Sequence, residues 1–326
     1  MEEKNNDFNN DEFDIKTLNE SLFKFQPPKR EMAEIKDFIK PYSYWRSVFE
    51  KLYKNVFFLI SFSILLLMII LAISVSTTTS ETYYNKTYEL AGPSLSHIFG
   101  IGNNNEDFWT TIWRGTLTTI LFGFIIISIR MIAGTILGAL WGYRLLNDIM
   151  MKWITNVFSF IPRTILWMLI CFFLIINEKE ITLWVIAITV GISSWVNVAQ
   201  SINYKIKNIV NSNLHSASIA IGTSRAKMFL KQILPSILPI IFNYIALAFP
   251  EIVAIDSTLS LFNLSFASNN SGYTSLGYIL NDSLLNSNWE MFPHLIVIPI
   301  AMIVFNATFF YYTAHAISRS LDARYH

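Results

Sequence analysis

The sequence predicts an all-α membrane protein with about six transmembrane helices, and three observations carry this prediction. Apolar residues make up 53% of the chain and charged residues only 14%, whereas soluble domains are about 25% charged. Six stretches are long and apolar enough to cross a bilayer. Lys and Arg are concentrated in every second connection, as membrane topology requires. This composition argues against a soluble enzyme, a disordered protein and a nucleic-acid binder.

Each predicted span is a stretch of about 20 mostly apolar residues, the helix length that a hydrocarbon core about 30 Å thick requires. The first span begins far into the chain and carries no charge, which favours a retained span over a cleaved signal peptide. The six spans are predicted at residues 56–75, 116–142, 154–176, 181–199, 236–259 and 292–313.

The positive charges predict the orientation of these spans. Nineteen of the 24 Lys and Arg residues precede the first span, lie in the connections after the second and fourth spans, or follow the sixth. Because such an excess marks the cytoplasmic side, we expect a multi-pass protein of the cell membrane with both termini in the cytoplasm.

The composition of the segments outside the spans predicts what structure they form. Residues 1–30 are rich in Asn, Asp, Glu and Lys and are expected to form a disordered cytoplasmic arm; a tail without a specific task is equally compatible with them. Residues 31–55 alternate charged and apolar positions, which predicts an interfacial amphipathic helix broken near Pro41. The membrane domain then covers 56–326, with extracytoplasmic segments at 76–112 and 260–291.

The cytoplasmic loop at residues 200–235, called the coupling loop below, is the most informative segment. Ser212 is predicted to cap a short helix that ends at Gly222, a natural left-handed residue. Thr223 or Ser224 is expected to cap a second helix, which Pro235 closes. The first helix presents Leu214, Ala217, Ile219 and Ile221, and the second presents Met228, Phe229, Ile233 and Leu234 beside Arg225, Lys227 and Lys231.

Two short helices joined at a glycine would form a compact knob below the membrane. Such a knob suits docking into a groove on a soluble partner. The alternative is an amphipathic connector that rests on lipid headgroups, since basic amphipathic segments commonly do so.

Four charges fall within the predicted spans: Arg130, Arg163, Glu251 and Asp256. Arg163 follows Pro162 and can snorkel toward the cytoplasmic face. A charge at the bilayer centre costs about 2.5–3.5 kcal/mol on insertion scales, so each needs a partner or water. We therefore expect an Arg130–Glu251 pair, with a role in a pathway across the membrane or in a contact between subunits. The alternative for Arg130 is simple packing against a partner subunit.

The sequence carries no catalytic or metal-binding motif. The phosphate-binding motif GxxxxGK followed by Ser or Thr is absent, so the chain is not expected to bind ATP by that route. The five histidines are scattered, and Cys171 is the single cysteine, which excludes a cysteine-built zinc site. We expect no cofactor, no metal and no catalytic residue.

Several short motifs, in order, then carry a resemblance. Ser216-Ala217-Ser218, Gly222 and Ile233-Leu234-Pro235 look like the "EAA…G…LP" loop of ABC-importer permeases, although the Glu of that motif is Ser216 here. Further matches are Pro93-Ser94-Leu95, His97, Phe99-Gly100, Gly134, Gly138, Gly142-Tyr143, Ser159-Phe160-Ile161-Pro162, Ser194-Trp195, Asp256-Ser257, Leu259-Ser260 and Leu321-Asp322-Ala323-Arg324. From about residue 40 onward the chain resembles the C-type permease of oligopeptide or dipeptide ABC importers.

The resemblance implies a type I ABC-importer permease fold and a set of partners. These are a homologous B-type permease, two cytoplasmic ATPases that hold ATP and Mg²⁺, an extracytoplasmic binding protein and a peptide substrate. It also implies that the coupling loop transmits the motion of the ATPases. The residues expected to do so are Leu214, Ser216, Ala217, Ser218, Gly222, Arg225, Lys227 and Pro235.

Other functions remain open at this point. A nickel or metal-chelate importer permease belongs to the same family. A stand-alone secondary transporter or channel would use Arg130 with Glu251 or Asp256, but the two halves of the chain show no convincing repeat of the kind that many such folds carry. A membrane scaffold without transport activity is the third alternative.

Overall fold

The computed structural model describes residues 44–78, 89–177, 181–267 and 273–322, with Arg225 described by its backbone alone. Within these ranges the secondary structure is helical, apart from one isolated bridge between Ile101 and Asp107. The chain divides into two compact units, Met1–Ser47 and Val48–His326, and every helix from Val56 onward belongs to the second. The predicted arm at 1–30 and the first part of the predicted interfacial helix lie outside the described residues.

The described residues form twelve α-helices, numbered in chain order. They are α1 Tyr44–Lys54, α2 Val56–Thr78, α3 Phe108–Gly142, α4 Asp148–Phe160, α5 Arg163–Ile176, α6 Leu183–Ser193, α7 Val196–Val210, α8 Asn213–Ala220, α9 Arg225–Met228, α10 Leu234–Leu261, α11 Leu276–Leu285 and α12 His294–Leu321. A π-helical turn at Phe229–Ile233 joins α9 to α10, and a 3₁₀ turn at Ser287–Glu290 precedes α12.

Five helices of the described residues are long and apolar enough to cross a membrane, and the number is six if a bent pair of helices forms one span. The pair is α4 and α5, which meet at an angle of 80°. The span predicted at 154–176 is therefore present as two helices with a break at residues 161–162. Pro162 lacks an N–H and disfavours a helical backbone at the residue before it, and Ile161 is accordingly extended, with φ −81° and ψ 121°.

Two further boundaries differ from the prediction. Helix α3 begins at Phe108, because the Asp107 carboxylate accepts a hydrogen bond from the Thr110 amide at 3.3 Å and caps the helix. The last residues of the predicted outer segment 76–112 therefore belong to α3. Helix α7 continues to Val210, so the first part of the predicted loop 200–235 is helical as well.

Helices α3 and α7 pack closely along a face of glycines. A Cβ atom added at Gly134, Gly138 or Gly142 would lie 2.7 Å from an atom of α7. At Gly138 the obstructing atoms belong to the backbone of Ala199, which side-chain motion cannot remove. Small residues at such positions let two membrane helices approach each other closely. This contact holds α7 in place, and α7 leads directly into α8 of the coupling loop.

We expect the substitution Gly138→Ala to lower the thermal stability of the purified protein. Overpacking of this kind costs about 1–3 kcal/mol. Gly123→Ala is the matched control on the same helix, because its added Cβ would meet only the side chain of Ile252, at 3.4 Å. The midpoint of thermal unfolding in detergent measures both variants. Equal midpoints for the two would contradict the close α3–α7 packing.

Candidate functional site

The coupling loop begins with a short capped helix. Ser212 accepts a hydrogen bond from the His215 amide at 3.4 Å and caps α8. At the other end, Thr223 N donates to Ser218 O at 3.1 Å, and Gly222 has φ +80°. The cap and the left-handed glycine stand where the sequence predicts them. Together they set both ends of an eight-residue helix.

The surface of α8 is exposed and partly apolar. Leu214, Ile219 and Ile221 are 79%, 56% and 85% exposed. Ser216 and Ala217 are also exposed, whereas Ser218 is half-buried because it accepts a hydrogen bond from Gln232 Nε2 at 3.0 Å. Large apolar side chains in a cluster on a protein surface mark a contact with another molecule.

The second part of the coupling loop does not form the separate helix that the sequence predicts. Helix α9 is short and runs through the π-helical turn directly into α10, so Pro235 does not end a helix. Within the turn, Leu234 N donates to Phe229 O, five residues back. This wider register accommodates Pro235, which has no N–H for the usual bond and crowds the carbonyl four residues earlier.

The predicted docking face of that second helix is also wrong. Met228 is 2% exposed and Ile233 is fully buried, and Ile233 packs among buried side chains of α3, α7 and α10. Lys227 is exposed, Gly222 is exposed and Pro235 is half-buried. The side chain of Arg225 lies outside the described part of the chain. After α7, the large exposed apolar side chains of the loop are Leu214 and Ile219 of α8, Ile221 directly after it, and Leu230 of the π-helical turn.

The Arg130–Glu251 pair that the sequence predicts is present and is bidentate. Arg130 Nη1 lies 2.7 Å from Glu251 Oε2, and Nη2 lies 3.0 Å from Oε1. Arg130 Nε donates to Ser194 Oγ at 2.9 Å. The pair joins α3 to α10, and Ser194, between α6 and α7, adds the third partner. The guanidinium is buried, whereas the Glu251 side chain is 41% exposed.

This geometry gives the Arg130 guanidinium the charged partner that a cation inside a membrane needs. Two parallel hydrogen bonds to a carboxylate make the strongest pairing available to arginine. Sequence reasoning selected Ser194 only as part of a motif and missed its contact with Arg130. A serine that follows an apolar helix is common, and no signal in the chain separates this one from others.

Asp256 stands apart from this pair. Its side chain is 1% exposed, and its two oxygens accept hydrogen bonds from Ser265 Oγ at 3.2 Å and Ser275 Oγ at 2.5 Å. A Cβ added at Gly277 would lie 2.4 Å from Asp256 Oδ2. The carboxylate thus joins the end of α10 to the start of α11 inside one subunit. This arrangement favours a structural role over the pathway or subunit contact suggested by the sequence.

A polar cleft opens between α7, α10 and α12. Its volume is about 650 Å³. Ser201 Oγ and Tyr244 Oη are 2.7 Å apart on its wall, and Tyr244 Oη donates to Asn197 O at 3.2 Å. Gln200 and Asn243 add amide groups to the lining. The cleft therefore offers both donors and acceptors to a molecule that enters it.

With this geometry established, comparison with known proteins assigns the family. The family model described as "Binding-protein-dependent transport system inner membrane component" matches residues 131–325, more than half of the chain. The chain belongs to this family. The family predicted by resemblance is thus confirmed, and so is the helical membrane fold with about six crossings.

Curated relatives of this transport-system component extend the similarity toward the N-terminus. The oligopeptide transport system permease protein AmiD of Streptococcus pneumoniae is 23% identical over 311 residues, 93% of this chain and 97% of that protein. OppC of Haemophilus influenzae, another oligopeptide permease, is 23% identical over 292 residues, 86% and 89% of the two chains. The dipeptide permease DppC of Bacillus subtilis is 25% identical over 272 residues, 81% and 82%.

Membership in this family narrows the functions left open by the sequence. The chain is a membrane component of a transport system that depends on a binding protein, and it is not the ATPase. A stand-alone secondary transporter or channel is not favoured. The matched region contains the whole coupling loop together with Glu251.

Proposed function

We propose that this chain is the permease subunit of an ATP-driven importer of oligopeptides or dipeptides. The supporting observation is similarity along most of its length to three permeases, two of oligopeptide and one of dipeptide transport systems. In this proposal the chain forms half of the translocation pathway. A homologous B-type permease forms the other half, and an extracytoplasmic binding protein delivers the peptide.

Two cytoplasmic ATPases bind this assembly at the coupling loops and hold ATP and Mg²⁺, while this chain holds no cofactor. The exposed Leu214 and Ile219 of α8 and Ile221 directly after it support this part of the proposal, since an apolar helix face suits a groove on a partner. Closure of the ATPases on ATP would move α8. The motion would then reach the spans through α7 and through the continuous helix that begins at Ala226.

The proposed orientation places both termini and the coupling loop in the cytoplasm. The support for it is the excess of Lys and Arg on that side. The polar cleft between α7, α10 and α12 lies near the same end of the bundle as α8. Its amide and hydroxyl groups can pair with the backbone amides of a peptide that leaves the pathway.

Transport by the reconstituted complex tests the proposed function. The chain would be placed in proteoliposomes with its sister permease and the two ATPases, and uptake of a radiolabelled dipeptide and tripeptide would be measured with the binding protein present. Uptake should require Mg-ATP and should stop when the ATPases are inactivated. Uptake by this chain alone would contradict the proposal. Uptake of a nickel chelate, but of neither peptide, would favour the metal-importer alternative.

A further inference from the structure

Two consecutive hydrogen bonds, called the relay below, join the exposed helix α8 to the π-helical turn that leads into α10. Gln232 Nε2 donates to Ser218 Oγ at 3.0 Å, and Ser218 Oγ donates to Leu214 O at 2.9 Å. The relay therefore runs from the π-helical turn into the first turn of α8. Among the side chains that the structure describes, Gln232 makes the one hydrogen bond that crosses between these two segments.

The apolar packing between the same two segments is loose. An open crevice of about 670 Å³ lies between them, with Ile219 of α8 on one wall and Met228 and Phe229 on another. Protein interiors are ordinarily packed without gaps of this size. Apolar contacts across such a crevice fix no direction, whereas a hydrogen bond depends on both distance and angle. The relay therefore supplies the directional contact that the packing does not.

The π-helical turn explains why Gln232 is available for this contact. Met228 and Ile233 are both buried, although residues five apart in an α-helix would point about 140° away from each other. The π register pairs residues five apart, and so it brings such residues close to the same face. Gln232 is then half-buried beside them, on the side where Ser218 lies.

The backbone of Gln232 is held on the α10 side as well. Its carbonyl oxygen accepts a hydrogen bond from Ser236 Oγ at 2.7 Å. Ser236 belongs to α10. The side chain of Gln232 thus reaches α8 while its carbonyl is held by α10, so this one residue connects the two helices.

We propose that Gln232 is a positioning residue that makes α8 and the start of α10 move together. Force on α8 then reaches α10 through the relay, and not only along the chain through Gly222. The inference rests on the proposed function, because it gives the route by which motion of the ATPases enters α10. Without the relay, α8 would be displaced while α10 stays in place, and ATP would be hydrolysed without transport.

The first test measures the contact itself, on the full chain alone in phosphatidylcholine nanodiscs. Hydrogen–deuterium exchange of the α8 amides should be about threefold to tenfold faster in Gln232→Leu than in the parent chain, because one hydrogen bond is lost. Ser218→Ala should have the same effect. Ser216→Ala is the matched control, since Ser216 Oγ donates to Ser212 O at 3.4 Å, at the start of its own helix. Unchanged exchange in Gln232→Leu, or equal acceleration in Ser216→Ala, would refute the contact.

The second test measures coupling in the complete importer in proteoliposomes. In Gln232→Leu and in Ser218→Ala, the ATPases should still hydrolyse ATP, but the peptide taken up per ATP hydrolysed should fall about threefold or more. A change that only destabilised the permease would lower uptake and hydrolysis together. An unchanged ratio would therefore rule out the positioning role. A parent complex without ATP-driven uptake would overturn the proposed function and this role with it, whereas the contact is judged by hydrogen exchange alone.

A cross-link distinguishes a rigid connection from a hinge. Ser218→Cys and Gln232→Cys are combined with Cys171→Ala, which removes the single native cysteine, in a complex whose other subunits lack cysteine. Before cross-linking, uptake per ATP should be as low as in Gln232→Leu. After treatment with a short bifunctional methanethiosulfonate reagent, it should return to the value of Cys171→Ala alone. A cross-linked complex that hydrolyses ATP but takes up no peptide would mean that α8 must move relative to α10, and the proposal would be wrong.

Discussion

Replacing Arg130 by alanine is expected to abolish most transport, and replacing Glu251 by alanine should have nearly the same effect. Each single substitution leaves the other charge without its bidentate partner, whose atoms lie at 2.7 and 3.0 Å. Removing one member of a buried pair costs about 3–5 kcal/mol. Because the Glu251 side chain is 41% exposed, we expect each single substitution to lower the free energy of unfolding by about 2–3 kcal/mol.

The double variant Arg130→Ala, Glu251→Ala should be no worse than either single variant, because it leaves no charge unpaired. Peptide uptake in proteoliposomes and the thermal unfolding midpoint measure all three variants. Simple additivity of the two losses would contradict a functional pair. Ser194→Ala is the control, since it removes only the 2.9 Å bond to Arg130 Nε and should have a smaller effect.

Gly222→Val is expected to abolish transport while the protein still inserts into the membrane. Gly222 has φ +80°, a conformation that a β-branched residue adopts only with strain. Nothing lies within 4 Å of the Cβ that the substitution adds, so no clash contributes. The strain would be relieved by a different backbone path at the end of α8. That change would displace Leu214 and Ile221 from the docking surface.

Gly92→Val is the matched control for this prediction. A Cβ at Gly92 also meets nothing within 4 Å, but the residue does not have a positive φ. Membrane insertion, uptake and co-purification of the ATPases should be measured for both variants. Ala217→Asp, which puts a charge on the exposed face of α8, should reproduce the transport defect of Gly222→Val. Normal uptake in Gly222→Val and Ala217→Asp would contradict docking at α8.

Local chemistry made parts of the site predictable from the sequence. Ser212 and Gly222 have side-chain and backbone properties that suit helix ends wherever they occur. Arg130 and Glu251 were predictable as a pair because two isolated charges in apolar segments have few ways to be satisfied. The helical fold followed from the length and apolar character of the spans.

The remaining features depend on three-dimensional packing that a hydrophobicity pattern does not contain. Met228 and Ile233 are apolar, and an apolar residue at the end of a span can face a partner, lipid or the core with the same sequence signal. The π-helical turn before Pro235 is a choice of hydrogen-bond register. The serines around Asp256 come from separate segments, which only the folded chain brings to one carboxylate.

The π-helical turn has a mechanical consequence. By bringing the chain past Pro235 without a break, it makes Ala226–Leu261 one helical element of 36 residues, or about 54 Å at 1.5 Å per residue. Moved as one body, this element, which contains Pro239 and Pro250, would act as a lever arm. A tilt of about 5° at the α8 end would carry the distant end through about 5 Å. Glu251 lies far along this arm, so its pairing with Arg130 would anchor the lever to α3.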